Sequence, residues 1–206
     1  MAREYELKFD LGPGDPERFA SLALVRKAAT GPPNRLHLIT TYYDTPAFDC
    51  RKRGIGFRIR RQNGGWLQSV KTERPGEHGV FVREEVEFPV AAGKLDFERL
   101  RATEFWGLFQ DPAIRQSLAP LFSTDFIRTI VNLKLSDGTQ IEAAVDIGSV
   151  QSGVESAPIH ELELELKSGN PQSVRAFAKE LASWMPLRPS DVSKAARGYT
   201  LTSHAG

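Results

Sequence analysis

The feature that most constrains this chain is a strict alternation of ionic and apolar residues. It is met first in EYELKF (Glu4–Phe9) and again in ELELELK (Glu161–Lys167). Period two means extended backbone, because successive side chains of a strand leave on opposite faces. Taken alone, EYELKF turns Glu4, Glu6 and Lys8 to water and packs Tyr5, Leu7 and Phe9 on a core.

The same parity recurs along the chain. Arg58 and Arg60 share a face in FRIRR, and Ser69 and Lys71 share one in QSVK. Arg83, Glu85 and Glu87 share a face in REEVE, as do Glu142 and Asp146 in IEAAVD. The opposite faces carry Phe57 and Ile59, then Val82, Val86 and Phe88, then Leu162, Leu164 and Leu166. About eight strands can be read. NGG after Gln62 and SDG after Leu135 are hairpin turn signals, so neighbouring strands pair antiparallel. Eight antiparallel strands in one unit commonly close into a barrel, which removes exposed edges.

Helices punctuate the strands. Gly14–Ala29 reads as one, with Asp15 as N-cap and Pro16 at the first position. Leu95–Phe109 and Asp111–Phe122 read as a helical insert, the second opened by Asp-Pro. Asn170–Met185 has an Asn cap and Pro at its first position, and a short helix and tail close the chain. No repeat or linker divides the 206 residues, which are expected to form a single domain.

Two arrangements satisfy the parity. In one, the apolar faces form the core of a sandwich and the charges are solvated. In the other, the barrel is inside out, with a charged lumen and helices covering an apolar outer wall. Amphipathic helices need an apolar surface to cover, which favours the barrel. So does the sorting of charge by strand: ELELELK is nearly all acidic and FRIRR is purely basic. Like charges at this spacing repel unless an opposite charge sits between them.

Such a lumen suits particular chemistry. Carboxylates without paired His or Cys make a hard-oxygen site for Mg²⁺ or Mn²⁺. A row of Arg and Lys suits phosphate oxygens. Together they describe a site for a metal-bound polyphosphate. No Walker loop and no Ser/His/Asp signature is present. The histidines, His37, His78, His160 and His204, are scattered. Lys plus Arg is 27 and Asp plus Glu is 26, so charge gives no reason to expect nucleic acid or a membrane surface as partner. Cys50 is the one cysteine, which excludes an intrachain disulfide and fits a reducing compartment. The charged first ten residues and the lack of a long apolar run make a cytoplasmic location the expectation. The oligomeric state is not legible.

The blocks EYELK, YYDT, FRIRR, SVK, REEVE, IEAAVDIG, ELELELKSG and SKAARGY, in that order, resemble the CYTH family, the triphosphate tunnel metalloenzymes. A lone ExExK is weak, but eight ordered blocks from Glu4 to Tyr199 are specific. The pattern is most similar to the bacterial inorganic triphosphatase branch, whose members often carry a further helical CHAD domain. The resemblance implies an α+β fold: an eight-stranded antiparallel β-barrel tunnel with a charged lumen and helices outside. It implies a small-molecule triphosphate substrate and a divalent metal. By position, Glu4, Glu6, Glu163 and Glu165 would hold the metal. Lys8, Arg58, Arg60, Lys71, Arg83, Arg128 and Lys194 would bind phosphate oxygens. Glu85, Glu87, Glu142 and Asp146 would order the attacking water or a second metal. A Lys–Tyr pair would be Lys71 with Tyr42 or Tyr43, of which Tyr42 shares a face with Asp44. Glu161 and Lys167, near their strand's ends, are left open between lumen and solvent, and Arg61 is expected at the surface. Other readings are a thiamine triphosphatase or adenylate cyclase, with Trp66 or Phe81 against the organic group, and a non-catalytic polyphosphate or nucleotide binder.

Overall fold

The computed structural model describes residues 2–12, 18–73 and 78–204. Its strands are β1 (Ala2–Asp10), β2 (Asn34–Asp44), β3 (Ile55–Gln62), β4 (Gly65–Thr72), β5 (Val80–Pro89), β6 (Ala119–Lys134), β7 (Gln140–Ser152), β8 (Glu155–Ser168) and a short β9 (Arg188–Pro189). The helices are α1 (Ala23–Ala28), α2 (Asp49–Lys52), α3 (Trp106–Phe109), α4 (Pro112–Ser117), α5 (Pro171–Leu181) and α6 (Lys194–His204).

The sheet runs β5-β4-β3-β2-β6-β7-β8-β1-β9, and β5 pairs β1 to close an eight-stranded antiparallel barrel. The hairpin signals are correct. Asn63 and Gly64 turn β3 into β4 with φ of 51° and 76°, the left-handed pair that a two-residue hairpin requires. β9 pairs only two residues of β1 and was not expected.

Two apolar clusters lie outside the barrel. Leu7, Phe9, Val131, Val145, Leu162 and Leu164 pack beneath Val174, Phe177 and Leu181 of α5. Phe57, Val70 and Phe88 pack beneath Leu100, Phe105, Leu108 and Phe109 of the insert. The period-two faces are thus assigned as the inside-out barrel requires.

Three sequence readings change. The insert holds only a 3₁₀ turn (Glu98–Leu100), α3 and α4, because β6 already begins at Ala119. The run Leu118–Phe122 (LAPLF) holds no polar residue, so periodicity could not separate helix end from strand start. The first helix is described only from Arg18 and is regular over Ala23–Ala28; Asp15 and Pro16 lie outside the described residues.

The third change bears on function, because the lumen is not charged throughout. Leu38, Tyr42, Phe122, Phe126, Val150 and Ile159 are apolar or aromatic residues on the lumen faces of their strands, and they pack with Ala195 and Tyr199 of α6. The last helix therefore enters one end of the barrel and closes it. Apolar burial there makes a plug, and only the remaining lumen is polar.

Candidate functional site

The polar half of the lumen is a cavity of about 530 Å³. Glu4, Glu6 and Lys8 of β1, Arg58 and Arg60 of β3, Lys71 of β4, and Arg83, Glu85 and Glu87 of β5 line it. Arg128, Glu142, Glu163, Glu165 and Lys194 complete the ring. Burial along β8 gives the direction of the cavity. Glu161 is sealed, Glu163 is buried, Glu165 is half-buried and Lys167 is exposed. On β1, Lys8 and Glu6 are buried while Glu4 is half-buried. The mouth thus lies at Glu4, Glu142, Glu165 and Lys167, and the closed end at Asp146 and Glu161.

At the closed end the ions neutralise one another. Arg128 is bidentate on Asp146, Nε at 2.7 Å and Nη2 at 2.6 Å, and also grips Glu163. Lys8 lies 2.9 Å from Glu161. Burial pulls the Lys194 ammonium down in pKa, but Asp146, Glu161 and Glu163 outweigh it and the group is held above its usual value. Asp146 and Glu161 sit behind the cavity wall rather than on it. Sequence left Glu161 open between lumen and solvent; it is fully buried, and its shared parity with Glu163 and Glu165 was the signal. Lys167 and Arg61 are exposed.

The cationic wall is built on β3–β5. Arg58 donates to Ser69 Oγ (2.6 Å), Tyr42 Oη (3.3 Å) and Glu85 (2.9 Å). Tyr42 faces the lumen, whereas Tyr43 packs outside, which resolves that pair. Arg60 has a single hydrogen bond among those described, a long one to Thr40. Burial, together with the neighbouring Arg58 and Arg128, lowers its pKa to about 10. Arg83 lies over Phe81, and its Nε and Nη2 are buried without hydrogen-bond partners. Arg60 is a buried cation set against Arg58 and Arg128, and Arg83 has buried donors without acceptors, a configuration that an anion relieves.

The acidic wall is the converse. Glu4 Oε2 and Glu6 Oε1 are buried without hydrogen-bond partners. Burial pushes the Glu6 carboxyl up to about 7, with Glu163 adding to the rise and Arg83 and Lys71 opposing it. Buried acceptors without donors cost free energy that a cation removes. The donor set is all oxygen, which fits a hard divalent ion. Neither Trp66 nor Phe81 lines the cavity; Trp66 stacks with Arg61 on the outside.

The CYTH domain family model matches residues 2–199. The chain belongs to the CYTH family. This CYTH domain is 32% identical over 208 aligned residues to an inorganic triphosphatase of Haemophilus influenzae, covering 98% of the present chain and 56% of that protein. It spans little more than half of that relative's length. In fold it resembles a Hippeastrum protein described as having a dominant triphosphatase activity, with TM-score 0.65, 19% identity, and 96% and 95% of the two chains covered. It also resembles the PH1819 protein of Pyrococcus horikoshii, with TM-score 0.53, 17% identity, and 96% and 98% covered. At these identities both likenesses are of fold. Among the described residues of this CYTH domain, no helix is long and apolar enough to cross a membrane.

Proposed function

We propose that this domain is a metal-dependent hydrolase that cleaves inorganic triphosphate to pyrophosphate and phosphate. One observation carries the reading. Buried donors without acceptors on Arg83 face the same cavity as buried acceptors without donors on Glu4 and Glu6. A polyphosphate chain with a bound divalent ion satisfies both walls at once. The 32% identity to an inorganic triphosphatase across nearly the whole chain supports the same substrate class.

In this reading Arg58, Arg60, Lys71, Arg83 and Arg128 bind phosphate oxygens, with Lys8 and Lys194 fixing the closed end. Glu4, Glu6, Glu163 and Glu165 would hold Mg²⁺ or Mn²⁺, which would neutralise phosphate charge and polarise the phosphoryl group. Glu87 and Glu142, which line the cavity, would order water, and Lys71 with Tyr42 would steady the leaving group. Glu85 is held by Arg58 and Lys71. Asp146, behind the wall, is taken up by Arg128 and Lys194, and positions them rather than meeting water. The step is balanced as P₃O₁₀⁵⁻ + H₂O → P₂O₇⁴⁻ + HPO₄²⁻ + H⁺. Water oxygen bonds to a terminal phosphorus, the bridging P–O bond breaks, and pyrophosphate leaves. Positioning and charge neutralisation supply the catalysis. The plugged end makes the cavity blind, so substrate enters by the mouth.

The test is phosphate release from triphosphate, ATP and thiamine triphosphate, each with Mg²⁺ or Mn²⁺. Turnover of triphosphate alone supports the reading. Tight binding without turnover would make the domain a polyphosphate binder. The cavity's lining holds no aromatic besides Tyr42, which argues against an organic group there.

A further inference from the structure

Glu73 also lines the lumen cavity, one step beyond Lys71 on the face that Ser69 and Lys71 share. Its backbone N–H donates to the Gly54 carbonyl at 2.7 Å, which carries the β3–β4 pairing past Thr72 and fixes the residue in place. Its side chain lies over Gly56. A Cβ at Gly56 would stand 2.9 Å from Cγ and 3.0 Å from Oε1 of Glu73. Gly56 has the parity of Arg58 and Arg60. A side chain there would extend the β3 row one step deeper; glycine leaves the space open, and a carboxylate fills it.

The neighbours of Glu73 give its depth. Gly56 precedes Arg58 on β3, and Asp44, which follows Tyr42 along β2, holds the plug through Tyr199. Burial and Asp44 raise the Tyr199 phenol above its usual pKa, and Glu73 is near enough to add to the rise. Glu73 therefore lies at the plug end of the cationic wall, past Arg58 and Lys71. Among the described hydrogen bonds and ion pairs its carboxylate has no partner. Arg58 and Lys71, in the adjoining positions, are engaged by Glu85 at 2.9 and 3.8 Å. A phosphate chain laid along Arg60, Arg58 and Lys71 gains a cation at each step and meets an anion at the next. In a lumen poorer in water than the surface, that repulsion is stronger than in solution.

We infer that Glu73 is a specificity residue: its unpaired carboxylate ends the phosphate site on the plug side, so that a chain of four or more phosphates is disfavoured by charge and not by length alone. This rests on the reading of the lumen as a polyphosphate site and names the residue that limits which polyphosphate fits.

The experiment measures the binding of inorganic triphosphate and of linear tetraphosphate by isothermal titration calorimetry, without divalent metal, so the result does not depend on turnover. Tetraphosphate carries more charge and would bind a purely cationic lumen more tightly. Wild type is expected instead to favour triphosphate by at least about tenfold in Kd. Glu73→Gln keeps the shape of the side chain and removes its charge; it is expected to cut that preference at least about fivefold, chiefly by tightening tetraphosphate. Glu73→Ser, which also removes the bulk over Gly56, is the second variant and should shift the preference in the same direction. A folded variant of either kind that keeps the wild-type ratio overturns the inference, because the limit would then be the plug itself. A wild type that binds both chains equally, or tetraphosphate more tightly, overturns it without any variant. A wild type that binds neither overturns the polyphosphate reading beneath it.

Discussion

The phenol of Tyr199 donates a 2.7 Å hydrogen bond to the Asp44 carboxylate, joining the last helix to the end of β2. Asp44 is buried and also accepts from the backbone N–H groups of Thr45 (2.8 Å), Cys50 (2.8 Å) and Arg51 (3.1 Å). One carboxylate therefore holds the β2 terminus, α2 and the plug together. Burial and the adjacent Asp44 raise the Tyr199 phenol above its usual pKa, so it remains a donor. Removing a hydrogen bond to a charged group costs about 2 kcal/mol. Tyr199→Phe should lower stability by about that much in urea unfolding. Hydrogen exchange should show faster opening in α6 than in α5.

Arg60 separates stability from function. Its pKa is lowered by burial and then by the neighbouring Arg58 and Arg128. Folded protein gains little from such a group, whereas an anion in the lumen gains a partner. Arg60→Met should leave the denaturation midpoint equal to or above that of wild type. Triphosphate hydrolysis should fall at least about tenfold, the loss of one charge-assisted contact. A variant that lost stability and kept activity would reverse the assignment.

How much of this could be read from the sequence depends on the strand. Where one face is charged and the other apolar, as in Glu4–Phe9 or Glu161–Lys167, parity separates the two faces. The outer clusters then follow residue by residue. Parity has no answer where both faces are apolar. In β6, Phe122 and Phe126 face inward while Val131 and Leu133 face outward, and only Arg128, at the parity of the two phenylalanines, marks the inner face. Their placement depends on a helix some seventy residues later entering the barrel. The partners of Lys194 were hidden for the same reason. Its carboxylates lie on β7 and β8, and only the plug brings it to them.

Acid should weaken the cationic wall in a defined window. Burial alone would raise the Glu85 carboxyl, but Lys71, Arg58 and Arg60 outweigh it and hold it at about 2. A carboxyl depressed from 4.5 stabilises the fold fully above pH 4.5, and that contribution is lost as pH falls towards 2. The upper bound is about 3 kcal/mol. Glu85→Gln should be less stable than wild type at pH 6, and the difference should shrink steadily between pH 4.5 and 2. Urea titrations across that range measure it; a constant difference would mean that Glu85 is not held down in the fold.

Gly198 tests whether the plug and the lumen are mechanically connected. It lies in α6, where Ala is ordinarily better than Gly by about 1 kcal/mol. A Cβ at this position, however, lands on the ring of Phe122. That ring has little freedom to move. It stacks on Tyr42 at 4.7 Å and meets Tyr199 edge-on at 5.1 Å. Overpacking of this kind costs about 1–3 kcal/mol, which exceeds the propensity gain. Gly198→Ala should therefore destabilise the protein rather than stabilise it. Tyr42 accepts from Arg58 at 3.3 Å, so a displaced Phe122 should carry its effect to the cationic wall. The expected signature is a raised KM for triphosphate together with a lowered Tm, although Gly198 does not line the cavity. Adding Phe122→Leu should restore both by giving the new methyl room; a double variant no better than Gly198→Ala would show that the clash lies elsewhere.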